Sequence, residues 1–387
     1  MIAIKKEDIE TFILNYEGDK DVTNIHSHIM GIYLDITNVE EYVLLTLIKD
    51  IIHKMDLRDK DIQKRKHQLN KLKKLKLPVQ RSKEWYEMRK NKLTASSLAS
   101  AIDHCHFQSR DELILSKIEE KPFEPNPITE WGVKYEDIAI MYYEELYNVK
   151  VLDFGCIPHP EFEAFGASPD GICDDTGNDN YIARMVEIKC PPKRKFTKSV
   201  PPHYKMQVQG QLEVCDLDEC DFFQVKIEEY KDYTEYSKDN FINQSHFVNS
   251  CGRTALNFPK GCTITYIKSN ENKMSYLYPK LGLSDSMYQV WIQENKTMLE
   301  KEGHKFIEAK WWFISRYECT LVERDREWWI NSIDKILHFY QDLTHFRNNP
   351  DALEGLKKRI IESKKKKKKP MQESLSSFQL ISDDEDN

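Results

Sequence analysis

The sequence predicts a mixed α/β fold: a small sheet flanked by helices, preceded by an N-terminal helical extension. Three observations lead there. Apolar residues recur every three to four positions in several stretches, as a helix face requires. Short runs of β-branched and aromatic residues lie between those stretches, and loops rich in Pro, Gly, Asp and Asn separate the two kinds of segment. With 387 residues, 40% hydrophobic and 11% aromatic, the chain can bury a sizeable core. At roughly 100–200 residues per domain there is room for two or three structural units.

Residues 1–80 read as a helical, partly basic extension. Tyr42, Leu45, Ile48, Ile51 and Ile52 repeat as a buried helix face does. The basic stretch HKMDLRDKDIQKRKHQLNKLKKLKLP follows, with Leu69, Leu72, Leu75 and Leu77, and Pro78 is the expected stop. It is either a solvated amphipathic helix or a basic arm beside a phosphate backbone.

Residues 81–345 form the predicted main domain. A helix is expected over Glu130–Tyr147, with Trp131, Tyr135, Ile138, Tyr142 and Leu146 on one face. Strands are expected at Val149–Phe154, Phe165–Ile172, Tyr181–Lys189 and Phe222–Ile227. Residues 231–305 are polar and aromatic without clear period and read as an insertion or large loop. KWWFISRYECTLVERD then reads as a strand. A helix over Arg326–Leu343 follows, with Trp329, Ile333, Ile336, Leu337 and Tyr340 on one face. The tail, 346–387, holds the unbroken run Lys364–Lys369 and an acidic end, a composition that predicts disorder.

Charge and cysteine usage narrow the function. Lys and Arg number 57 against 64 Asp and Glu, a formal charge of 57 − 64 = −7, which excludes a uniformly basic nucleic-acid binder but not an enzyme with a local basic groove. No stretch approaches the ~18 apolar residues of a membrane helix. The first residues, MIAIKKEDIETFIL, are broken by charges, unlike a secretory signal. The nine cysteines form no small-scaffold framework, so reduced thiols in an intracellular compartment, cytoplasmic or nuclear, are expected. The cluster Asp103-His104-Cys105-His106 is too tight for one tetrahedral zinc site without partners elsewhere.

The chemistry centres on FGASPDGI (165–172) and MVEIKCP (185–191). On an extended strand, residues two apart share a face, so Glu187 and Lys189 point one way while Val186 and Ile188 point into the core. Asp170 lies in a Pro-Asp-Gly turn. If the two strands pair, Asp170, Glu187 and Lys189 converge. Two carboxylates can then hold a hard divalent cation that keeps waters and phosphate oxygens as further ligands. The lysine can orient or deprotonate an attacking water, or offset charge on the phosphate. Alone, the turn is a common one and E-x-K is often a solvated face; together they form a P-D…(D/E)-x-K pattern.

Several segments in order resemble one branch of the nucleases with that pattern: EWYEMRKNKLTASSLA (84–99), WGVKYEDIAIMYYEEL (131–146), FGASPDGI, VEIKCPP (186–192) and HYKMQVQGQLEV (203–214). The chain resembles the lambda-exonuclease-like, or YqaJ-type viral recombinase, nucleases over about 81–230, with an echo at 322–340. The resemblance to nucleases of large DNA viruses suggests a viral origin. It implies a PD-(D/E)XK restriction-endonuclease-like core.

The resemblance also implies roles. Asp170, Glu187 and Glu136 would hold Mg²⁺, with Mn²⁺ able to substitute; Glu136 could equally be a surface residue. Lys189 would be the catalytic lysine and Gln207 the glutamine closing the site, with Gln211 one turn along its helix. Arg89, Thr94, Ser96 and Ser168 would cradle a DNA phosphate, notably a terminal 5′-phosphate, although Ser96 could instead be a plain N-cap. Some relatives place another acidic ligand shortly before the Pro-Asp-Gly turn; His159, Glu161 and Glu163 occupy that neighbourhood here. Lys193, Arg194 and Lys195, just past the catalytic strand, would meet the DNA backbone or form a solvated loop.

The expected function is a metal-dependent 5′→3′ exonuclease acting on double-stranded DNA ends in repair, recombination or replication. A structure-specific or nicking endonuclease and a non-catalytic DNA-end scaffold are the alternatives. Gln372, Leu375 and Phe378 resemble a sliding-clamp-binding box with one aromatic replaced. A single-strand-annealing or DNA-binding protein is a further expected partner. Oligomeric state stays open.

Overall fold

The computed structural model describes residues 5–32, 38–80, 82–90, 92–119, 126–193, 196, 198–243, 248–250, 252–269, 271 and 273–379. The chain divides into two compact units, Met1–Lys74 and Leu75–Asn387.

The first unit is helical: α1 (Lys6–Asn15), α2 (Val22–Ile32) and α3 (Asn38–Lys73). Its core joins Ile9 and Ile13, Ile25 and Ile29, and Leu44, Ile48 and Ile51, one stripe from each helix at three- or four-residue spacing. The buried face of α3 differs in phase from the expected one. Tyr42 is 72% exposed and Leu44 takes its place inside. The helix also stops at Lys73, before Pro78.

The second unit opens with α4 (Lys83–Lys90), β1 (Leu93–Thr94), a 3₁₀ turn at Ala95–Ser97, α5 (Leu98–Ala101) and α6 (Arg110–Ile118). Next come α7 (Pro127–Tyr147), β2 (Val149–Leu152), β3 (Ile157–Pro158), β4 (Phe165–Ala167), β5 (Gly171–Gly177) and β6 (Met185–Lys189). Then follow α8 (Pro202–Cys215), β7 (Glu219–Glu229), α9 (Tyr233–Lys238), β8 (Phe241–Asn243), β9 (Val248–Ser250), β10 (Lys260–Ile267) and β11 (Met274–Leu277). The unit closes with α10 (Asp285–Lys301), β12 (Lys305–Glu323), α11 (Arg326–Asn348) and α12 (Pro350–Gln379). Among the described residues no helix is long and apolar enough to cross a membrane.

The architecture is mixed α/β. One sheet runs in the order β11-β10-β12-β7-β6-β5-β2 and a second in the order β1-β4-β3. In the larger sheet only β6 and β7 run parallel, in the register Glu187↔Phe222 and Lys189↔Gln224. Parallel neighbours need a crossover, and α8 supplies it. Helix α7 packs Tyr135, Ile138, Ala139 and Tyr142 against Val186, Ile188, Phe223 and Val225.

Several further expectations change. FGASPDGI is not one strand: Phe165–Ala167 belongs to the smaller sheet and Gly171 starts a strand of the larger one, so Ser168-Pro169-Asp170 crosses between sheets. The strand expected from Tyr181 starts at Met185, because Asp179–Tyr181 is a 3₁₀ turn and Ala183 is left-handed (φ 57°). Residues 231–305 are not a loop. They supply α9, α10 and the strands β10 and β11, so the sheet has seven strands and is not small.

The tail is likewise helical past 346. Leu356 and Ile360, one turn apart, are buried, and Lys357, Arg359 and Lys364 pair with Glu119 (2.7 Å), Asp111 (3.4 Å) and Glu112 (2.8 Å) of the acidic segment 111–119. The basic composition that suggested disorder is matched there by opposite charge. Side chains of 366–379, including Gln372, Leu375 and Phe378, and all of 380–387 lie outside the described residues. On α11 the buried stripe is Trp329, Ser332, Ile336, Phe339 and Leu343, whereas Ile333 and Leu337 are 37% and 43% exposed.

Candidate active site

Strand β6 presents two chemically different faces because its side chains alternate. Val186 and Ile188 enter the apolar cluster under α7. Glu187 and Lys189 turn the other way, toward α8. Glu187 is only 1% exposed, and a carboxylate that deep is costly unless donors surround it. The donors are present. Lys189 Nζ pairs with Oε1, Gln207 Nε2 donates to Oε1 at 2.7 Å, and Gln211 Nε2 donates to Oε2 at 2.7 Å. The i, i+4 spacing of Gln207 and Gln211 puts both amides on the same face of α8.

Asp170 joins them from the crossing between sheets. β5 and β6 pair antiparallel with Gly171 opposite Val186, which sets Asp170 beside the end of β6. Its Oδ2 accepts the Ile188 N–H at 2.7 Å. Gly171 is required at this point: a Cβ there would lie 2.1 Å from Val151 Cγ1. The three expected residues of the P-D…E-x-K pattern therefore converge.

Electrostatics ties Glu136 of α7 to the same place. Burial, followed by the charge of Glu187, holds Asp170 well above the usual carboxylate range, and Glu136 adds to the rise while Lys189 opposes it. Burial disfavours the Lys189 ammonium, but Glu187 and Asp170 outweigh burial and raise its pKa. In this arrangement the Lys189 ammonium is paired with Glu187, a placement suited to orienting a water or offsetting phosphate charge. Burial, then Glu136 and Asp170, push the neighbouring Cys190 thiol up, so it stays neutral.

The donor set fits a divalent cation. A carboxylate such as Asp170, whose acidic neighbours raise its pKa, lacks positive charge, and a cation would supply it. Among the described residues no three His, Cys, Asp or Glu side chains are gathered into a complete ligand set. Asp170 and Glu187 are the one or two carboxylates that a hard ion of the Mg²⁺ type would use, its shell filled with waters and phosphate oxygens.

A second cluster lies beside the first. Arg89, at the end of α4, donates to Ser96 Oγ at 3.2 Å, and Thr94 Oγ1 lies 3.0 Å from Ser96 Oγ. Ser96 is therefore not a helix cap; the N-cap of the 3₁₀ turn is Thr94 and that of α5 is Ser97, neither with a side-chain cap bond. The Arg89 guanidinium sits 4.5 Å from the centre of the Trp85 ring. Among the described residues it has no carboxylate within ion-pairing distance. Burial lowers its pKa, while Cys156, Tyr86, Asp170 and Glu187 oppose that, so the guanidinium shares a field with the carboxylates. Ser168 Oγ is buried beside the Cys156 thiol, a weak hydrogen-bond partner. A cation, two clustered hydroxyls and a weakly engaged buried hydroxyl are what a phosphate group would satisfy.

Some residues that build this cradle were not legible in the sequence. Lys117 of α6 donates to the Arg89 carbonyl (3.0 Å) and the Lys92 carbonyl (2.7 Å), holding the turn that carries Arg89. Tyr340 Oη accepts the Leu93 N–H at 2.9 Å and donates to the Ala164 carbonyl, pinning β1 to the turn before β4. Behind the amide face of α8, Gln209 clamps the β12–α11 junction: it donates to the Glu323 carbonyl (2.8 Å) and accepts the Asp325 N–H (2.6 Å). These contacts join residues more than a hundred positions apart, apart from Lys117, and no local pattern marks them.

The remaining expected residues separate. His159 is engaged elsewhere: Nδ1 accepts the N–H groups of Glu161 (3.2 Å) and Phe162 (3.1 Å), Nε2 faces Glu213 at 4.0 Å, and the ring stacks on Trp329. Glu161 and Glu163 are exposed, and Lys193 is exposed at the end of the catalytic segment. Arg194 and Lys195 lie outside the described residues.

Comparison with known proteins gives the geometry a context. Residues 84–218 match the YqaJ-like viral recombinase domain. An uncharacterized protein, R354, of Acanthamoeba polyphaga mimivirus is 29% identical over 352 residues, covering 82% of this chain and 63% of its own length. The chain thus spans less than two thirds of that relative. Among solved structures, an alkaline exonuclease from Laribacter hongkongensis aligns with a TM-score of 0.39 and 21% identity, covering 73% of this chain and 99% of its own. A phage-related exonuclease from Haemophilus somnus 129PT aligns with a TM-score of 0.34 and 12% identity, covering 65% and 92%. Both clusters lie within residues 84–218, the stretch that matches the YqaJ-like viral recombinase domain.

Proposed function

We propose that the protein is a metal-dependent DNA exonuclease that degrades double-stranded DNA from its ends, 5′→3′, during recombination. The observation that supports this reading above the others is the meeting of Asp170, Glu187 and Lys189 beside an anion cradle built from Arg89, Thr94 and Ser96. A carboxylate pair with a fixed ammonium matches the needs of phosphodiester hydrolysis. The separate cradle matches a terminal phosphate held while the neighbouring ester is cut.

In this reading Asp170 and Glu187 would hold Mg²⁺ or Mn²⁺, with the charge of Glu136 adding to their pull on the ion. When bound, such an ion supplies charge neutralisation at the scissile phosphate. The chain's own groups do the rest. Lys189 orients the attacking water and offsets the charge that develops on the phosphate oxygens. Gln207 and Gln211 fix both oxygens of Glu187, so the carboxylate keeps its orientation through turnover. Arg89 and Ser96, with Thr94 behind them, grip the end phosphate and set the register of the cut.

The test compares linear with covalently closed circular duplex of the same sequence, using the full chain in Mg²⁺. Linear DNA bearing 5′-phosphates is expected to be digested from its ends, and the closed circle to survive. Cutting of the circle at a comparable rate would replace the exonuclease reading with an endonuclease on the same fold.

A further inference from the structure

A line of aromatic rings leads from Lys189 to the surface. Tyr204, on the first turn of α8, has its ring centre 5.1 Å from Lys189 Nζ. The His203 ring lies 4.1 Å from that of Tyr204. His203 in turn meets His106 and Phe107 edge-on, at 5.4 and 5.5 Å, and those two rings are 3.8 Å apart. The line ends in water: Phe107 is 73% exposed and His106 is exposed.

The loop that carries the outer pair is firmly built. Asp103 turns it in the left-handed conformation (φ 61°), and the His104 N–H bonds the Ala99 carbonyl at 2.7 Å. The Cys105 sulfur sits against the Ser100 hydroxyl and the N–H groups of Phe107 and Gln108. Ser109 and Glu112 close the loop with a reciprocal capping box at the start of α6. A phenylalanine held outward by such a loop forfeits the burial that normally fixes its place. Aromatic faces of this kind attract nucleobases, whose stacking is tolerant of sequence because every base has a π-face.

We propose that Phe107, backed by His106 and His203, is a stacking platform for an unpaired nucleobase of the strand entering the site. The proposal rests on the nuclease reading and adds to it. The ligand it names is a base separated from its partner at the DNA end, where the cradle alone would recognise only phosphate. Continuity with the site argues for this occupant: the ring line runs without a break to the lysine that would face the scissile phosphate.

The test uses the full chain, with Ca²⁺ in place of Mg²⁺ to measure binding without cutting. The probe is a 5′-phosphorylated duplex with two mismatched terminal pairs, carrying 2-aminopurine at the unpaired end. Wild type is expected to quench the fluorophore. Phe107→Ala is expected to lose the quenching and bind about 5- to 100-fold more weakly, and Phe107→Trp to restore both. With abasic sites replacing the unpaired bases, wild type and Phe107→Ala should bind alike. Equal quenching and affinity in wild type and Phe107→Ala would overturn the platform. Digestion of the same duplex in Mg²⁺ separates the two claims. Failure of the wild type to cut, with Phe107-dependent quenching intact, removes the nuclease and keeps the platform. Normal cutting with Phe107→Ala indistinguishable in binding removes the platform alone.

Discussion

Helices α7 and α8 lie on opposite faces of β6, and what each sends toward the strand differs in kind. From α7 come Tyr135, Ile138, Ala139 and Tyr142, packed on Val186 and Ile188. From α8 come the amides of Gln207 and Gln211, both spent on Glu187. The first contact is stabilised by area removed from water and depends on volume and shape. The second buries a charge, and is stable only while each carboxylate oxygen keeps its donors. One strand thus carries a stabilising face and a chemical face, and substitutions on the two should fail differently.

The largest effect is expected on the apolar side. Ile138 is fully buried, so Ile138→Ala should lower the unfolding free energy by about 2–5 kcal/mol through lost burial and a residual cavity. Denaturant titration would show it, and the rate of DNA cleavage per folded molecule should change little. A large loss of cleavage rate with unchanged stability would erase the distinction between the faces.

On the polar side the expected pattern is reversed. Gln211→Met keeps the volume of the side chain but leaves Glu187 Oε2 without its donor. The Mg²⁺ concentration needed for half-maximal cleavage should rise about 10- to 100-fold, in line with the loss of groups that orient metal ligands. The melting temperature should fall by less than in Ile138→Ala, because the loss of the Glu187 Oε2 donor is partly offset by removing Gln211 Oε1, which is buried without a partner. An unchanged Mg²⁺ requirement would show that Gln211 only packs.

A surface contact sharpens the contrast by being weak. Lys364, together with the Ser109 N–H, holds the Glu112 carboxyl down at about 2, against a small opposing effect of burial. A carboxyl depressed on folding adds stability that is present above its ordinary value near 4.5 and lost as pH falls toward 2. The pair is largely exposed, so the gain is small. Lys364→Ala should move the Glu112 titration back toward 4.5, which an NMR pH titration reads directly. No movement would mean that α12 does not dock on α6 through this pair.

How much of this was legible before the structure depends on how local each cause is. Glu187 and Lys189 could be placed on one face because strand alternation is set by the backbone alone. The α7 stripe was readable for the same reason at helical period. Phase was harder: Tyr42, Ile333 and Leu337 fit a helical repeat, but tertiary packing covers their neighbours Leu44, Ser332 and Phe339 instead. Strand β10 was missed because Thr263 and Thr265 are buried together with Cys262 and Ile264, which removes the apolar–polar alternation a half-buried strand displays. The crossing at Ser168-Pro169-Asp170 looked like one strand since both of its halves are strand-like. Lys117, Gln209 and Tyr340 act through backbone groups brought close only by the fold, and residue type alone could not single them out. The tail is a case of composition misleading: Leu356 and Ile360 give a two-residue apolar strip, and the acidic segment 111–119 supplies the charge that the lysines need.

The central claim is the role proposed for Lys189 in the chemistry on the polar face of β6. The direct measurement is the Mg²⁺-dependent digestion of a 5′-end-labelled, 5′-phosphorylated linear duplex by wild type and by Lys189→Ala, with circular dichroism confirming the fold of each. The cleavage rate is expected to fall about 10²- to 10³-fold in the variant, as when a single group stabilising the transition state is removed, with binding of the duplex retained. Digestion by folded Lys189→Ala at the wild-type rate would contradict the account.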